Sequence, residues 1–214
     1  MEMETLRDLY IDELKDLWSA EKQLIKALPR MAKAATHPQL AKAFTNHLRQ
    51  TEQQITRLER IFEELDESPR GKKCVGMEGL IQEGQELIKE RPDPDVLDAG
   101  LIAKAQSVEH YEIAVYGTAR TYARILGLER QAGLLQQTLD EEGETDKLLT
   151  QIAESSINLE AAIPENPEEE TTSRRGEREV SRQSFVEGGR ASSRGASSRS
   201  SRGRASRSSE STAR

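Results

Sequence analysis

The chain has 214 residues, a formal net charge of −7, one cysteine and 4% aromatic residues, which excludes an intramolecular disulfide framework and favours helix over strand. No stretch approaches the roughly 20 apolar residues that span a bilayer, and the acidic N-terminus is unlike a secretion signal, so we expect a cytoplasmic protein outside the membrane. Eleven Arg and four Glu from Arg174 onward give that end a charge of +7 and leave −14 for residues 1–173. Apolar residues lie almost entirely before Pro164. We therefore predict a folded domain at residues 1–163 and a disordered, Ser/Arg-rich basic tail at residues 164–214.

Four long amphipathic helices and one short helix are predicted from apolar residues that recur at three- and four-residue steps. Thr36 or His37 can cap the second helix, with Pro38 in its first turn. Asp93 can cap the third long helix, and Gly127 marks a tight turn before the fourth. The predicted helices lie at about residues 4–35, 38–66, 77–89, 94–126 and 128–159.

The connections between these helices indicate the fold. Two tight hairpins joined by about 27 residues that contain a short helix have the connectivity of ferritin-like bundles. An up-down-up-down bundle would need only a short link there, and a coiled-coil dimer would not explain the two tight turns. The sequence therefore predicts an all-α, ferritin-like antiparallel four-helix bundle with a short crossover helix.

Six acidic residues stand where the apolar pattern predicts core positions. They are Glu21, Glu52, Glu109, Glu112, Glu142 and Asp146. Each lies about 15 to 19 residues from its predicted hairpin turn, which at about 1.5 Å per residue puts all six in one layer of the bundle.

A shared layer of carboxylates is typical of a metal site. Buried carboxylates without partners are costly, and like charges raise each other's pKa. Divalent cations remove both problems because they take oxygen ligands. The alternative is that these Glu residues form solvated helix faces. We interpret the six as candidate ligands of a two-metal site.

Three segments resemble the bacterial YciE/YciF ferritin-like family. They are YIDELKDLWSAEKQLIKAL at residues 10–28, CVGMEGLIQE at 74–83 and AQSVEHYEIAVYG at 105–117. The resemblance covers about residues 4–160. It implies a ferritin-like bundle, a homodimer and an association with stress responses.

The wider di-iron family, such as rubrerythrin, implies ligand roles at matching positions. Its pattern is a Glu on the first helix, Glu-x-x-His on the second, Glu-x-x-Glu on the third and Glu-x-x-x-His on the fourth. The matching positions here are Glu21, Glu109, Glu112, Glu142 and Asp146, the last with Asp in place of His. The second helix departs from the pattern, because Arg49 and Glu52 occupy its ligand positions. A cation at Arg49 cannot be a ligand, so the site could hold two ions, one or none.

Three functions follow from these readings. The first is a di-metal protein that binds two Fe or Mn ions and acts in stress protection, with metal-centred oxidation by O2 or peroxide as its chemistry. The second is a non-catalytic, stress-associated interaction protein whose metal site is degenerate at Arg49. The third is weak, salt-sensitive contact with nucleic acid through residues 173–214.

Two other residues have open interpretations. His47, four residues before Thr51, could reach the core or be a partly exposed helix residue. Tyr116 could donate a hydrogen bond to a ligand or simply pack in the core.

Overall fold

The structure is a computed structural model that describes residues 3–163. Its helices, in chain order, are α1 (Leu6–Ala34), α2 (Pro38–Leu65), α3 (Val75–Glu90), α4 (Pro94–Ile125), α5 (Glu129–Ile152), a π-helical segment (Ala153–Ile157) and α6 (Asn158–Ala161). The predicted all-α bundle is confirmed, and each predicted long helix is present.

Several expectations fall beyond this range. The predicted basic tail and its contact with nucleic acid lie outside the described residues, and the homodimer stays a prediction. Among residues 3–163, none of the helices has an apolar stretch that could span a bilayer.

The bundle consists of two antiparallel hairpins. One hairpin is α1–α2 and the other is α4–α5, and the hairpins meet through contacts of α1 with α4 and of α2 with α5. The crossover helix α3 packs on α1 and α4. It returns the chain to the end of the bundle where the α1–α2 turn lies, so the two hairpin turns are at opposite ends, as in ferritin-like proteins.

Local sequence explains where most helices begin and end. Thr5 and Asp8 form a reciprocal capping box at the start of α1. Asp93 caps α4, with Pro94 in its first turn, as predicted. Gly127 adopts a positive φ of 74° in the tight turn between α4 and α5, a conformation that glycine adopts without steric cost.

The turn that precedes α2 is held by a residue of another helix. His37 stands at the N-cap but makes no capping hydrogen bond with its side chain. The buried carboxylate of Asp98, on α4, instead accepts hydrogen bonds from Thr36 N at 2.9 Å, Thr36 Oγ1 at 2.6 Å and His37 N at 2.7 Å. The predicted start of α2 is confirmed in position, with His37 at the N-cap and Pro38 in the first turn. The His37 side chain does not make the capping hydrogen bond, and Asp98 instead holds the two residues that precede the helix.

The apolar core is divided into two clusters. The upper cluster, near the α1–α2 turn, includes Leu24, Leu28, Leu40, Phe44, Leu101 and Leu149. The lower cluster, near the α4–α5 turn, includes Tyr10, Leu14, Leu17, Leu58, Phe62 and Leu135. Glu21 lies on α1 between Leu17 of the lower cluster and Leu24 of the upper one, so a polar layer separates the two clusters.

Because its buried carboxylate accepts hydrogen bonds from the α1–α2 turn, Asp98 should contribute strongly to the stability of the fold. We expect Asp98→Ala to lower the free energy of unfolding by about 3 kcal/mol, because it removes a buried carboxylate that accepts three hydrogen bonds from the α1–α2 turn. Asp93→Ala is the matched control, since it removes an exposed N-cap and should lower that free energy by about 1 kcal/mol. Urea denaturation of the two variants measures both values. Equal losses would contradict the role assigned to Asp98.

Candidate metal centre

Five ionisable side chains meet inside the polar layer. They are Glu21 on α1, His47 on α2, Glu109 and Glu112 on α4, and Glu142 on α5, and none is more than 3% exposed. Four of them, all but Glu21, each offer one ligand atom, and these four atoms lie within 4.8 Å of one another. The residues come from every helix of the two hairpins, so the arrangement depends on the whole bundle being assembled.

His47 is oriented so that one ring nitrogen faces the carboxylates. Its Nδ1 lies 3.4 Å from Thr145 Oγ1, and the Thr145 hydroxyl donates to the carbonyl oxygen of Glu141. Because that hydroxyl proton is already used, Thr145 Oγ1 is free to accept from Nδ1–H, which leaves a lone pair on His47 Nε2. Nε2 lies 3.4 Å from Glu109 Oε1 and 3.7 Å from Glu142 Oε2.

Two neutral side chains hold the carboxylates in place. The Tyr116 hydroxyl donates a hydrogen bond to Glu21 Oε1, and Gln54 Nε2 donates one to Glu142 Oε1. Gln54 also donates to Glu141 Oε2 at 3.2 Å, and that carboxylate forms an ion pair with Arg57. Such outer contacts fix ligand orientation in metal proteins.

The five side chains surround a space that we call the chamber. Several of their atoms have no hydrogen bond within residues 3–163. They are Glu21 Oε2, His47 Nε2, Glu109 Oε2, both carboxylate oxygens of Glu112, and Glu142 Oε2. Five oxygens and one imidazole nitrogen are a donor set suited to iron or manganese. Buried acceptors are normally satisfied, so these atoms either share protons or form a group that could hold a metal ion.

The pKa shifts of the buried carboxyl groups are compatible with a group that could hold a cation. Burial raises the pKa of Glu21, Glu109 and Glu112 well above the ordinary value, and neighbouring carboxylates raise it further. For Glu21 and Glu109 the strongest such neighbour is Glu142, whereas for Glu112 it is Glu21. A divalent cation would reverse these shifts by favouring the ionised forms.

The structure corrects the expectations for α2. Glu52 and Arg49 are both exposed, so neither side chain enters the chamber. The inward face of α2 carries His47, Thr51 and Gln54 instead. Glu52 is in step with Leu48, but Leu48 is only half-buried and lies at the edge of the apolar stripe, so it does not mark the inward face. Arg49 is therefore too far toward solvent to make the site degenerate.

Asp146 lies at the edge of the centre rather than within it. Its side chain is 22% exposed and accepts a hydrogen bond from Gln106 Nε2 at 2.9 Å. The other predicted acids, Glu21, Glu109, Glu112 and Glu142, lie in the chamber as expected, although their role as ligands stays a prediction.

Comparison with known proteins places this bundle in a family. Residues 5–162 match the family described as "Domain of unknown function (DUF892)". Protein YciF of Escherichia coli (strain K12) is 46% identical over 162 residues, which are 75% of this chain and 98% of YciF.

Solved structures agree in fold. The crystal structure of the E. coli stress protein YciF matches with a TM-score of 0.71 at 46% identity, covering 73% of this chain and 99% of that one. YcfI, a putative structural protein from Rhodopseudomonas palustris, matches with a TM-score of 0.68 at 41% identity, covering 70% and 95%. A protein from Xanthomonas campestris pv. campestris, at 22% identity and a TM-score of 0.57 over 71% and 92% of the two chains, shares the fold alone. The chain therefore belongs to the DUF892 family, and the resemblance to YciE/YciF proteins that its motifs indicated is confirmed.

Proposed function

We propose that this protein binds iron or manganese in the chamber and uses the bound metal in stress protection. The observation that carries the proposal is the group of five buried ionisable side chains, with six donor atoms that lack hydrogen bonds within the described residues. The 46% identity to a protein described as a stress protein supports the biological setting.

The ligands of the proposed centre are Glu21, His47, Glu109, Glu112 and Glu142. Glu52 is left out because its side chain is exposed. The atoms of His47, Glu109, Glu112 and Glu142 that lie within 4.8 Å of one another can surround one ion. The remaining oxygens of Glu21 and Glu112 supply donors for a second.

When bound, a redox-active metal would supply electrons to O2 or peroxide. The residues of the chain provide the setting for that chemistry. The apolar clusters above and below the chamber exclude water. The Tyr116 hydroxyl donates a hydrogen bond to Glu21 Oε1, and the Gln54 amide donates one to Glu142 Oε1, so both carboxylates are held in position. The Thr145 contact sets the His47 tautomer that keeps Nε2 available for a metal.

Metal binding should depend on Glu112 and not on Glu52. We expect protein purified without chelators, or loaded with Fe(II) under anaerobic conditions, to hold about two ions per chain. Glu112→Gln should weaken Mn2+ affinity by at least about tenfold, because it removes a buried anionic ligand. Glu52→Gln makes the same chemical change at an exposed position and is the matched control, with affinity unchanged. Elemental analysis and titration with Mn2+ measure these values.

Two results would contradict the proposal. One is wild-type protein that takes up no Fe(II) or Mn2+ at all. The other is equal loss of affinity in the two Gln variants, which would mean that the ions bind to the surface charge of the bundle.

The metal-free protein should become less stable as the pH rises. The folded state raises the pKa of Glu21, Glu109 and Glu112 above their ordinary value of 4.5, so above about pH 4.5 the folded chain holds more protons than the unfolded chain. Their contribution is fully present below the unfolded pKa and is lost as pH rises through the folded pKa. We therefore expect the free energy of unfolding of chelator-treated protein to fall between pH 5 and pH 8, as measured in urea.

The variant Glu112→Gln tests the cause of this dependence. It should flatten the pH profile relative to wild type and raise the free energy of unfolding at pH 8 by on the order of 1 kcal/mol, because it removes a buried charge. A pH profile identical to that of wild type would show that Glu112 does not carry the effect.

A further inference from the structure

The buried centre needs a route by which ions reach it. Its five ionisable residues are at most 3% exposed. A divalent cation that crosses the apolar part of the wall would have to shed its hydration shell without replacement ligands. Polar side chains along the contact between two adjacent helices, which we call a seam, can provide such ligands.

In two of the seams within residues 3–163, a lysine or arginine side chain already pairs with the acidic residues. Between α2 and α5, Arg57 pairs with Glu141, the carboxylate to which Gln54 also donates. Beside α1 and α3, Lys72 pairs with Asp12 and Asp16. Because each of these seams carries a positive side chain on its acids, each opposes the passage of a metal cation.

At the seam between α4 and α5, the acidic residue has a histidine beside it instead of a lysine or arginine. His110 Nε2 and Asp146 Oδ1 lie 3.4 Å apart, and we refer to these two residues as the rim pair. The His110 side chain is 69% exposed and that of Asp146 is 22% exposed. Within the described part of the chain, neither Lys nor Arg forms an ion pair with Asp146. Imidazole and carboxylate are both ligands for transition metals, so the rim pair could hold one ion between them.

The rim pair adjoins the buried centre. Asp146 is one helical turn from Glu142 on α5, which places the two side chains on the same face. His110 follows Glu109 directly on α4, and Glu109 Oε2 is a buried oxygen with no hydrogen bond in residues 3–163.

We propose that His110 and Asp146 form an outer cation site through which a divalent metal ion passes into the buried centre. The inference rests on the proposed function, because it assumes that the centre takes up metal. Two ligands at an exposed position hold an ion weakly, whereas the five inner ligands hold it tightly. An ion captured by the rim pair is therefore more stable after it moves to the inner ligands. A transit site must bind well enough to capture an ion and weakly enough to release it.

This role explains why Asp146 resembles a ligand in sequence but lies outside the chamber. The residue stands at the α5 position that the di-iron pattern assigns to a ligand. Its carboxylate is held by Gln106 at the surface of the seam, with Thr150 Oγ1 accepting from the same amide at 2.9 Å. Gln106 thus fixes Asp146 facing His110.

Rates of metal uptake test the proposal. Chelator-treated full-length protein is mixed with Co2+ in a stopped-flow instrument, and the visible absorption of bound Co2+ is followed to its end point. Asp146→Asn should lower the second-order rate constant of uptake about tenfold, and His110→Gln should lower it by a smaller factor. The final amount of Co2+ per chain should be unchanged in both variants, because the inner ligands are intact.

Glu144→Gln is the matched control for charge. Glu144 lies two residues from Asp146 on α5, but its side chain is exposed on another face. Its removal should change the rate by less than about twofold, because it alters the field at the seam only weakly.

Three outcomes would overturn the inference while leaving the proposed function intact. The first is wild-type uptake rates in Asp146→Asn, and the second is equal slowing by Asp146→Asn and Glu144→Gln, which would mean general electrostatic attraction. The third is a lower final amount of Co2+ in Asp146→Asn, which would make Asp146 a ligand of the centre itself. A wild-type protein that takes up no Co2+ would overturn the proposed function and this inference together.

Discussion

The burial of like charges at mid-height of the bundle is the constraint on which the rest of the structure depends. Four carboxyl groups and one imidazole lie between two apolar clusters, almost fully removed from water. Without a counter-charge, such a layer is stable only if several of the carboxyl groups hold protons. A bound cation satisfies the same groups in their ionised form, and the neutral partners Tyr116, Gln54 and Thr145 position their atoms without adding charge.

The remaining charges follow a consistent pattern around this layer. Basic side chains lie at its periphery, where Arg57 and Lys72 pair with acids that are partly exposed. The acid at the α4–α5 seam has histidine as its neighbour instead. Since an arginine or lysine inside the chamber would compete with a metal for the same oxygens, the peripheral position of Arg57 and Lys72 is compatible with the proposed metal site.

Most of the fold could be predicted from the sequence, and part of the site could not. Periodic leucines, the Asp93 cap and the Gly127 turn are local features, so they placed the helices and hairpins correctly. Glu21, Glu109, Glu112 and Glu142 lie well inside clear apolar stripes, and their inward direction followed from spacing alone.

The second helix shows where this reasoning fails. Glu52 fits an apolar stripe drawn through Leu48, but the true stripe passes through Phe44, His47 and Thr51. Because a difference of one residue rotates a side chain by about 100°, a single half-buried leucine was enough to select the wrong face. The hydrogen bonds from the α1–α2 turn to Asp98 were equally hidden, since they depend on a residue about 60 positions away that only tertiary packing brings near.

The division of the proposed ligands between the two hairpins would have a mechanical consequence once an ion is bound. Glu21 and His47 belong to α1–α2, whereas Glu109, Glu112 and Glu142 belong to α4–α5. An ion held by both groups would be a reversible cross-link between the two hairpins. The hairpins otherwise pack through two separate apolar clusters, one above the ion and one below it. Loss of the ion would make the middle layer of the bundle its most flexible region. The flexibility of the protein would then depend on the concentration of available metal.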